Sequence, residues 1–158
     1  MLSRDWSVQG EIVKTVVFVG LNPSIADAEV DDPTIRRCVN FAKAWGYNRL
    51  FMVNLFAFRA TEPSEMKKAE DPEGEFNGPI VNAASHHADL TVVAWGAHGS
   101  FNDQAQKYLS GLKNPHHLGL TKSGHPKHPL YLKSSVLPQP YLVSYLWDRL
   151  VSTGRSDL

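Results

Sequence analysis

The sequence predicts an α/β domain of three layers (α/β/α), in which helices cover both faces of a central, mostly parallel four-stranded sheet. Four short apolar runs recur along the chain, at 15–20, 50–56, 90–96 and 116–120, with helix-like segments between them. The first run is apolar throughout instead of alternating, which is typical of a parallel strand buried on both faces. We therefore expect successive βαβ units.

The length of 158 residues predicts a single domain over 1–158, long enough to form its own core. The one cysteine, Cys38, excludes an internal disulfide and a cluster of thiolate ligands, which fits a reducing cytoplasm. No apolar run approaches the ~20 residues of a membrane helix, and the first residues lack the apolar core of a signal peptide. We expect a cytoplasmic protein without a membrane partner; its oligomeric state stays open.

The charges balance to a net of zero, which argues against a broad, non-specific binder of nucleic acid. They are nevertheless unevenly distributed. Residues 1–100 hold nine basic and 13 acidic side chains, whereas residues 101–158 hold seven basic and three acidic ones. A local basic surface is therefore expected in the last third of the chain.

The first strand ends abruptly in Gly20-Leu21-Asn22-Pro23-Ser24, where a glycine, an amide, a proline and a hydroxyl follow the apolar run. Ligands of open α/β sheets bind just beyond the carboxyl ends of the strands. Because Gly20 and Pro23 predict a tight loop there, Asn22 and Ser24 are candidate site residues.

A helix is predicted between the first two strands, over residues 32–45. Asp32 is a good N-cap, Pro33 suits the first helical position and Gly46 ends the helix. Cys38 lies among apolar neighbours on this helix, so we expect a small core residue and not a nucleophile.

The second strand places Asn54 near its end. A buried amide must be paired, so Asn54 either bridges neighbouring backbone or binds the donor and acceptor edge of a ligand. The third strand ends in Trp95-Gly96, where the glycine permits close approach of backbone or of a flat ligand.

The remaining predicted elements are a surface loop over 62–78 with one helical turn at 64–69, helices over 79–88 and 100–113, an ordered loop over 121–140 and a final helix from Tyr141. Ser100 and Asp103 resemble a capping box at the start of the second of these helices. Four prolines and a glycine exclude a long regular element from 121–140.

The loop over 121–140 carries His125 and His128 together with Lys122, Lys127 and Lys133. Cationic and hydrogen-bonding side chains on a proline-stiffened loop suit a phosphate or a developing anion.

No metal site is expected, although Asp27, Asp31 and Asp32 lie close together in the sequence and seven histidines are present. The adjacent pairs His86-His87 and His116-His117 point their side chains apart in regular structure. The strand-end loop also lacks the second glycine and the lysine of a Walker-type phosphate loop, and it lacks a Rossmann fingerprint.

Five segments together resemble the domain of unknown function 1643 family of bacteria and phages: 20–27, 31–38, 53–61, 94–96 and 124–132. The resemblance extends from about residue 10 to residue 135. It implies family membership but no established activity.

More distantly, the order of features resembles the uracil-DNA glycosylase superfamily. Its mismatch-specific thymine/uracil branch ends the first strand in Gly-Ile-Asn-Pro-Gly, whose Asn positions the attacking water, and residues 20–24 are similar. Its main branch binds the base edge with an Asn at the end of the second strand, where Asn54 stands here. That branch also has a His-Pro-Ser-Pro-Leu loop, to which His125-Pro126-Lys127-His128-Pro129-Leu130 is similar.

This resemblance implies a uracil-DNA glycosylase-like fold and a hydrolase that releases uracil or a modified base from DNA without metal or organic cofactor. Asn22 would hold the water, and His125 or His128 would stabilise the departing base. The residues implied for base binding are Asn54, Phe56, Phe58, Ser24 and Gly20, and those implied for phosphate binding are Arg59, Lys122, Lys127 and Lys133. Two alternatives stay open: a non-catalytic binder of a nucleotide or modified base, and a hydrolase of small nucleotides.

Overall fold

The computed structural model describes residues 1–25 and 32–141. Within these ranges it has six strands: β1 (Leu2–Asp5), β2 (Thr15–Gly20), β3 (Arg49–Asn54), β4 (Leu90–Val93), β5 (Pro115–His117) and β6 (Gln139–Pro140). Its four α-helices there are α1 (Pro33–Ala44), α2 (Pro63–Lys67), α3 (Asn77–His87) and α4 (Gln104–Leu109). A 3-10 segment, Ala97–Asp103, precedes α4. The final helix predicted from Tyr141 falls almost wholly outside the described residues.

The six strands form one mixed sheet in the order β1-β3-β2-β4-β5-β6. The four predicted strands are its inner strands and run parallel, whereas β1 is antiparallel to β3 and β6 is antiparallel to β5. The prediction of a four-stranded sheet was therefore wrong. Neither edge strand contains an apolar run. The side chains of β1 alternate between half-buried and exposed, and β6 consists of only two residues, both exposed.

The continuous apolar run of β2 is explained by burial on both faces of the sheet. Val17 and Val19 belong to a core cluster that includes side chains of α3 and α4. Val16 and Phe18 point to the opposite face and belong to a second cluster with side chains of α1. Helices therefore cover both faces of the sheet, as predicted.

Helix α1 agrees closely with its predicted boundaries. Asp32 caps it by accepting a hydrogen bond from the Ile35 backbone N at 2.8 Å, and Pro33 is its first residue. Gly46 follows the helix with a φ of 86°, which favours glycine. Cys38 is fully buried, and this burial, together with the Asp32 charge, raises the pKa of its thiol. The prediction of a core residue is confirmed.

The prediction of a helix over 100–113 is wrong in the first turn, and the predicted helix is too long. The 3-10 segment occupies its start, and α4 begins only at Gln104, because Asn102 and Asp103 have left-handed φ values of 55° and 53°. Ser100 Oγ donates to the Ala97 carbonyl, so the predicted capping box does not form. Over 1–25 and 32–141, no helix combines the length and apolar character needed to cross a membrane.

Candidate functional site

A cavity of about 840 Å³ opens at the carboxyl ends of β2, β3 and β4. Its wall includes Gly20 and Asn54, the last residues of β2 and β3, and Trp95, two residues beyond β4. Other parts of the wall come from the loop after β3, from the residues before α3 and from His128–Leu130. The cavity lies where parallel sheets bind their ligands.

Asn54 is a polar residue of the cavity wall whose side chain is available to a ligand. Its backbone carbonyl accepts a hydrogen bond from Asn77 Nδ2 at 2.8 Å, but its side-chain amide has no hydrogen-bond partner among the described residues. Gly20 is its neighbour across the sheet, and a Cβ at Gly20 would lie 2.7 Å from Asn54 Oδ1. Because Gly20 has no side chain, the Asn54 amide has room at this position. Both its donor and its acceptor are available to a ligand.

A buried polar network fixes the backbone beneath Asn54. Asn77 Nδ2 also lies 3.0 Å from the Leu55 carbonyl, and Gln104 Nε2 donates to the same carbonyl at 2.8 Å. The Tyr108 hydroxyl joins the network and donates to Glu73 Oε1 at 2.7 Å, and burial next to that carboxylate raises the pKa of Tyr108. These residues hold the end of β3 in place. Sequence reasoning missed them because their partners are backbone groups distant in the chain.

Asn22 ties the loop after β2 to the loop after β3. Its Nδ2 lies 2.9 Å from the Ala60 carbonyl, 3.2 Å from that of Pro23 and 3.4 Å from that of Phe58. These contacts hold the amide in one orientation. Oδ1 has no hydrogen-bond partner in the described part of the chain, so it remains an acceptor for a ligand or a water.

Asp32 has a second role besides capping α1, because the residue also belongs to the cavity wall. Ser24 Oγ donates to Asp32 Oδ2 at 2.6 Å, while Oδ1 accepts the capping hydrogen bond. The carboxylate is close enough to His128 for its charge to act on the imidazole. Ser24, Asp32 and His128, which come from three separate segments, therefore line one cavity.

The protonation of His128 follows from its surroundings. Its Nδ1 accepts a hydrogen bond from the Leu130 backbone N at 3.3 Å, which places the proton of the neutral ring on Nε2. Desolvation lowers the pKa of His128 below its ordinary value, and the Asp32 charge opposes this only in part. At pH 7 the ring is a neutral donor through Nε2.

Seven of the residues singled out in the sequence line the cavity: Gly20, Asn22, Ser24, Asn54, Phe56, Arg59 and His128. Five others do not contribute to its wall: Phe58, His125, Lys122, Lys127 and Lys133. His125 belongs to a turn in which its backbone N donates to Thr121 Oγ1. The Lys127 side chain lies along Gly119. The three lysines predicted to bind phosphate therefore lie outside the cavity wall.

The aromatic side chain best placed for a ligand is one that the sequence analysis did not select. Phe56 is only 1% exposed and packs against Phe101, with ring centroids 5.8 Å apart. Phe58 is 41% exposed but lies outside the cavity wall. Phe76 lines the cavity and is 66% exposed, although it stands in a loop without apolar periodicity. Only the structure shows that Phe76 is an exposed aromatic residue of the cavity wall.

The described ranges contain no group of three or more His, Cys, Asp or Glu side chains that could hold a metal ion. Two of the three aspartates considered in the sequence, Asp27 and Asp31, lie outside those ranges. Asp32, the third, is hydrogen-bonded to Ser24 and Ile35.

Comparison with known protein families assigns this chain to a family. The family model for a protein of unknown function (DUF1643) matches residues 1–130. The chain belongs to the DUF1643 family. The match includes every strand end at the cavity and extends to His128, Pro129 and Leu130, so the DUF1643 segment contains the site described above. No curated protein and no solved structure matches the chain. The predicted family membership is confirmed, while the likeness to uracil-DNA glycosylases rests on the motifs alone.

Proposed function

We propose that this DUF1643 protein binds a nucleobase in the cavity and hydrolyses its N-glycosidic bond, with uracil or a modified base in DNA as the substrate. The observation that best supports this function is the Asn54 amide, which has no protein partner among the described residues and lines the cavity at a strand end. A volume of about 840 Å³ is ample for a nucleotide.

Recognition of the base follows from the chemistry of the amide. The edge of a nucleobase carries adjacent hydrogen-bond donors and acceptors, and an Asn side chain offers one of each in the complementary arrangement. Phe76 supplies an exposed ring on which the base stacks. A base within a duplex must first leave the stack to enter such a cavity.

Hydrolysis also requires a water that is both oriented and deprotonated. Asn22 Oδ1 orients the water, but an amide cannot remove its proton. Asp32 lines the same cavity, and its carboxylate accepts that proton as the general base. The water oxygen bonds to the sugar C1′ while the bond from C1′ to the base nitrogen breaks, and the electron pair stays on the base.

The departing base then carries negative charge, which His128 stabilises. Its Nε2–H is a neutral donor at pH 7, and a fixed donor in a partly desolvated cavity lowers the energy of a developing anion. The proton taken by Asp32 finally neutralises the base. Every proton and electron pair in this step is supplied by water, substrate and side chains.

The test uses the full chain and a panel of substrates. Single-stranded and duplex oligonucleotides that contain uracil or hypoxanthine, and the matching mononucleotides, are incubated with protein, and free base is measured by chromatography. We expect release of at least one base. If no base is released while thermal unfolding shows a folded protein, the proposed reaction is wrong.

A second function, non-catalytic binding of a nucleotide or modified base, is favoured by one observation. Both Asp32 oxygens already accept hydrogen bonds, from Ser24 and from Ile35, and such bonds stabilise the ionised form and weaken the carboxylate as a base. In this case nucleotides raise the unfolding temperature but release no base. The same panel therefore distinguishes the two functions.

A further inference from the structure

A pair of basic side chains stands at the cavity wall, one in the wall and the other hydrogen-bonded to it from outside the wall. Lys67 Nζ lies 3.0 Å from His98 Nδ1, and His98 lines the cavity. Because an ammonium group has only donors, Lys67 donates to Nδ1, and the N–H of the His98 ring is then on Nε2. The pair keeps the full positive charge of Lys67 and presents N–H donors from both residues.

The positive charge of Lys67 is not neutralised by an acidic side chain within 1–25 and 32–141. Its ammonium lies over the Phe101 ring, 5.4 Å from the centroid, and donates to the His98 ring, so neither of these partners is an acid. A cation held by an imidazole and an aromatic ring remains able to bind an anion, and a charge-assisted hydrogen bond is stronger than a neutral one.

A third basic side chain borders the same space. Arg59 precedes α2, lines the cavity and makes no hydrogen bond or ion pair with any described residue. Two acids also line the cavity: Asp32, whose oxygens are both hydrogen-bonded, and the exposed Glu75. Arg59 and His98 in the cavity wall, and Lys67 bonded to His98, therefore supply donors without a carboxylate among their described partners.

We infer that Lys67, His98 and Arg59 bind a phosphate group of the ligand, so the ligand of the cavity is a phosphorylated nucleoside. The inference rests on the proposed function for the nucleoside part. A phosphate accepts several hydrogen bonds at once, which suits a guanidinium, an ammonium and an imidazole N–H. The phosphate is either the monoester of a free nucleotide or a diester of single-stranded DNA.

The experiment measures binding by calorimetry for wild type, Lys67→Gln and the matched control Lys68→Gln, which changes the exposed neighbouring lysine. The probes are inorganic phosphate, deoxyuridine, deoxyuridine monophosphate and a short single-stranded oligonucleotide with one uracil. We expect Lys67→Gln to weaken binding of the monophosphate about tenfold and to leave deoxyuridine binding unchanged. Lys68→Gln should bind like wild type.

Two further measurements make the result decisive. His98→Ala is expected to give a similar selective loss, and thermal unfolding of each variant separates lost binding from lost folding. Steep weakening of oligonucleotide binding with added salt identifies the diester as the ligand, whereas tighter binding of the monophosphate with a weak salt response identifies the monoester.

Equal affinity for deoxyuridine and its monophosphate, or equal effects of Lys67→Gln and Lys68→Gln, would overturn the inference and leave the proposed function standing. Binding of inorganic phosphate that Lys67→Gln weakens, without binding of deoxyuridine and without base release, would support the phosphate site. That second outcome would contradict the proposed function instead.

Discussion

Replacing Asp32 by Asn is expected to slow base release about 100- to 1,000-fold, because the carboxylate that takes the proton of the water becomes an amide. Stability should change by less than about 0.5 kcal/mol, since Asn caps helices as well as Asp. The Asn Oδ1 still accepts from the Ile35 N, and its Nδ2 donates to Ser24 Oγ. The measurement pairs single-turnover rates with urea unfolding.

Two controls belong to this experiment. Asp32→Ala removes both the carboxylate and the cap, and it should also cost about 1 kcal/mol of stability. Glu75→Gln changes another carboxylate of the cavity wall and should have little effect on the rate. A wild-type rate for Asp32→Asn would contradict the assignment of Asp32 as the base.

Replacing Asn54 by Ala is expected to weaken binding of the base about 10- to 100-fold, as for the loss of a bidentate contact to a base edge. Folding should be nearly unchanged, because the side-chain amide makes no hydrogen bond with the described residues. Calorimetry with the ligand identified by the substrate panel gives the affinity, and thermal unfolding gives the stability.

Two other variants distinguish a loss of ligand binding from a loss of stability. Asn77→Ala leaves the carbonyls of Asn54 and Leu55 with one partner fewer and should cost about 1–3 kcal/mol of stability. Gly20→Ala places a Cβ 2.7 Å from both Asn54 Oδ1 and Met52 Cε, so both side chain ends must shift, and binding should weaken because the amide is displaced while the protein stays folded. Wild-type affinity of the Asn54→Ala variant would show that the Asn54 amide does not bind the ligand.

The inner sheet and α1 were predictable from sequence because burial on both faces and helix capping leave local signals. The uninterrupted apolar run of β2 predicted a central parallel strand, and Asp32 with Pro33 predicted the start of α1. The edge strands carry no such signal. β6 exists only because its two residues pair with His116 and His117 of β5.

The site was predictable only where it lies at strand ends. Polar residues at the ends of apolar runs identified Asn22 and Asn54, and the histidines and lysines of a proline-rich loop identified His128. Phe76 and the pairing of Lys67 with His98 depend on contacts between distant segments, which no local pattern encodes. The same limit explains why Lys122, Lys127 and Lys133, close in sequence to His128, lie outside the cavity wall.

A crystal structure of the full chain soaked with deoxyuridine monophosphate, or with the ligand identified by the substrate panel, tests the central assignment most directly. We expect the base edge within hydrogen-bond distance of both Asn54 Oδ1 and Nδ2, and the ring of Phe76 against its face. A base bound outside the cavity, or bound inside it without contact to the Asn54 amide, would contradict the role of this strand end.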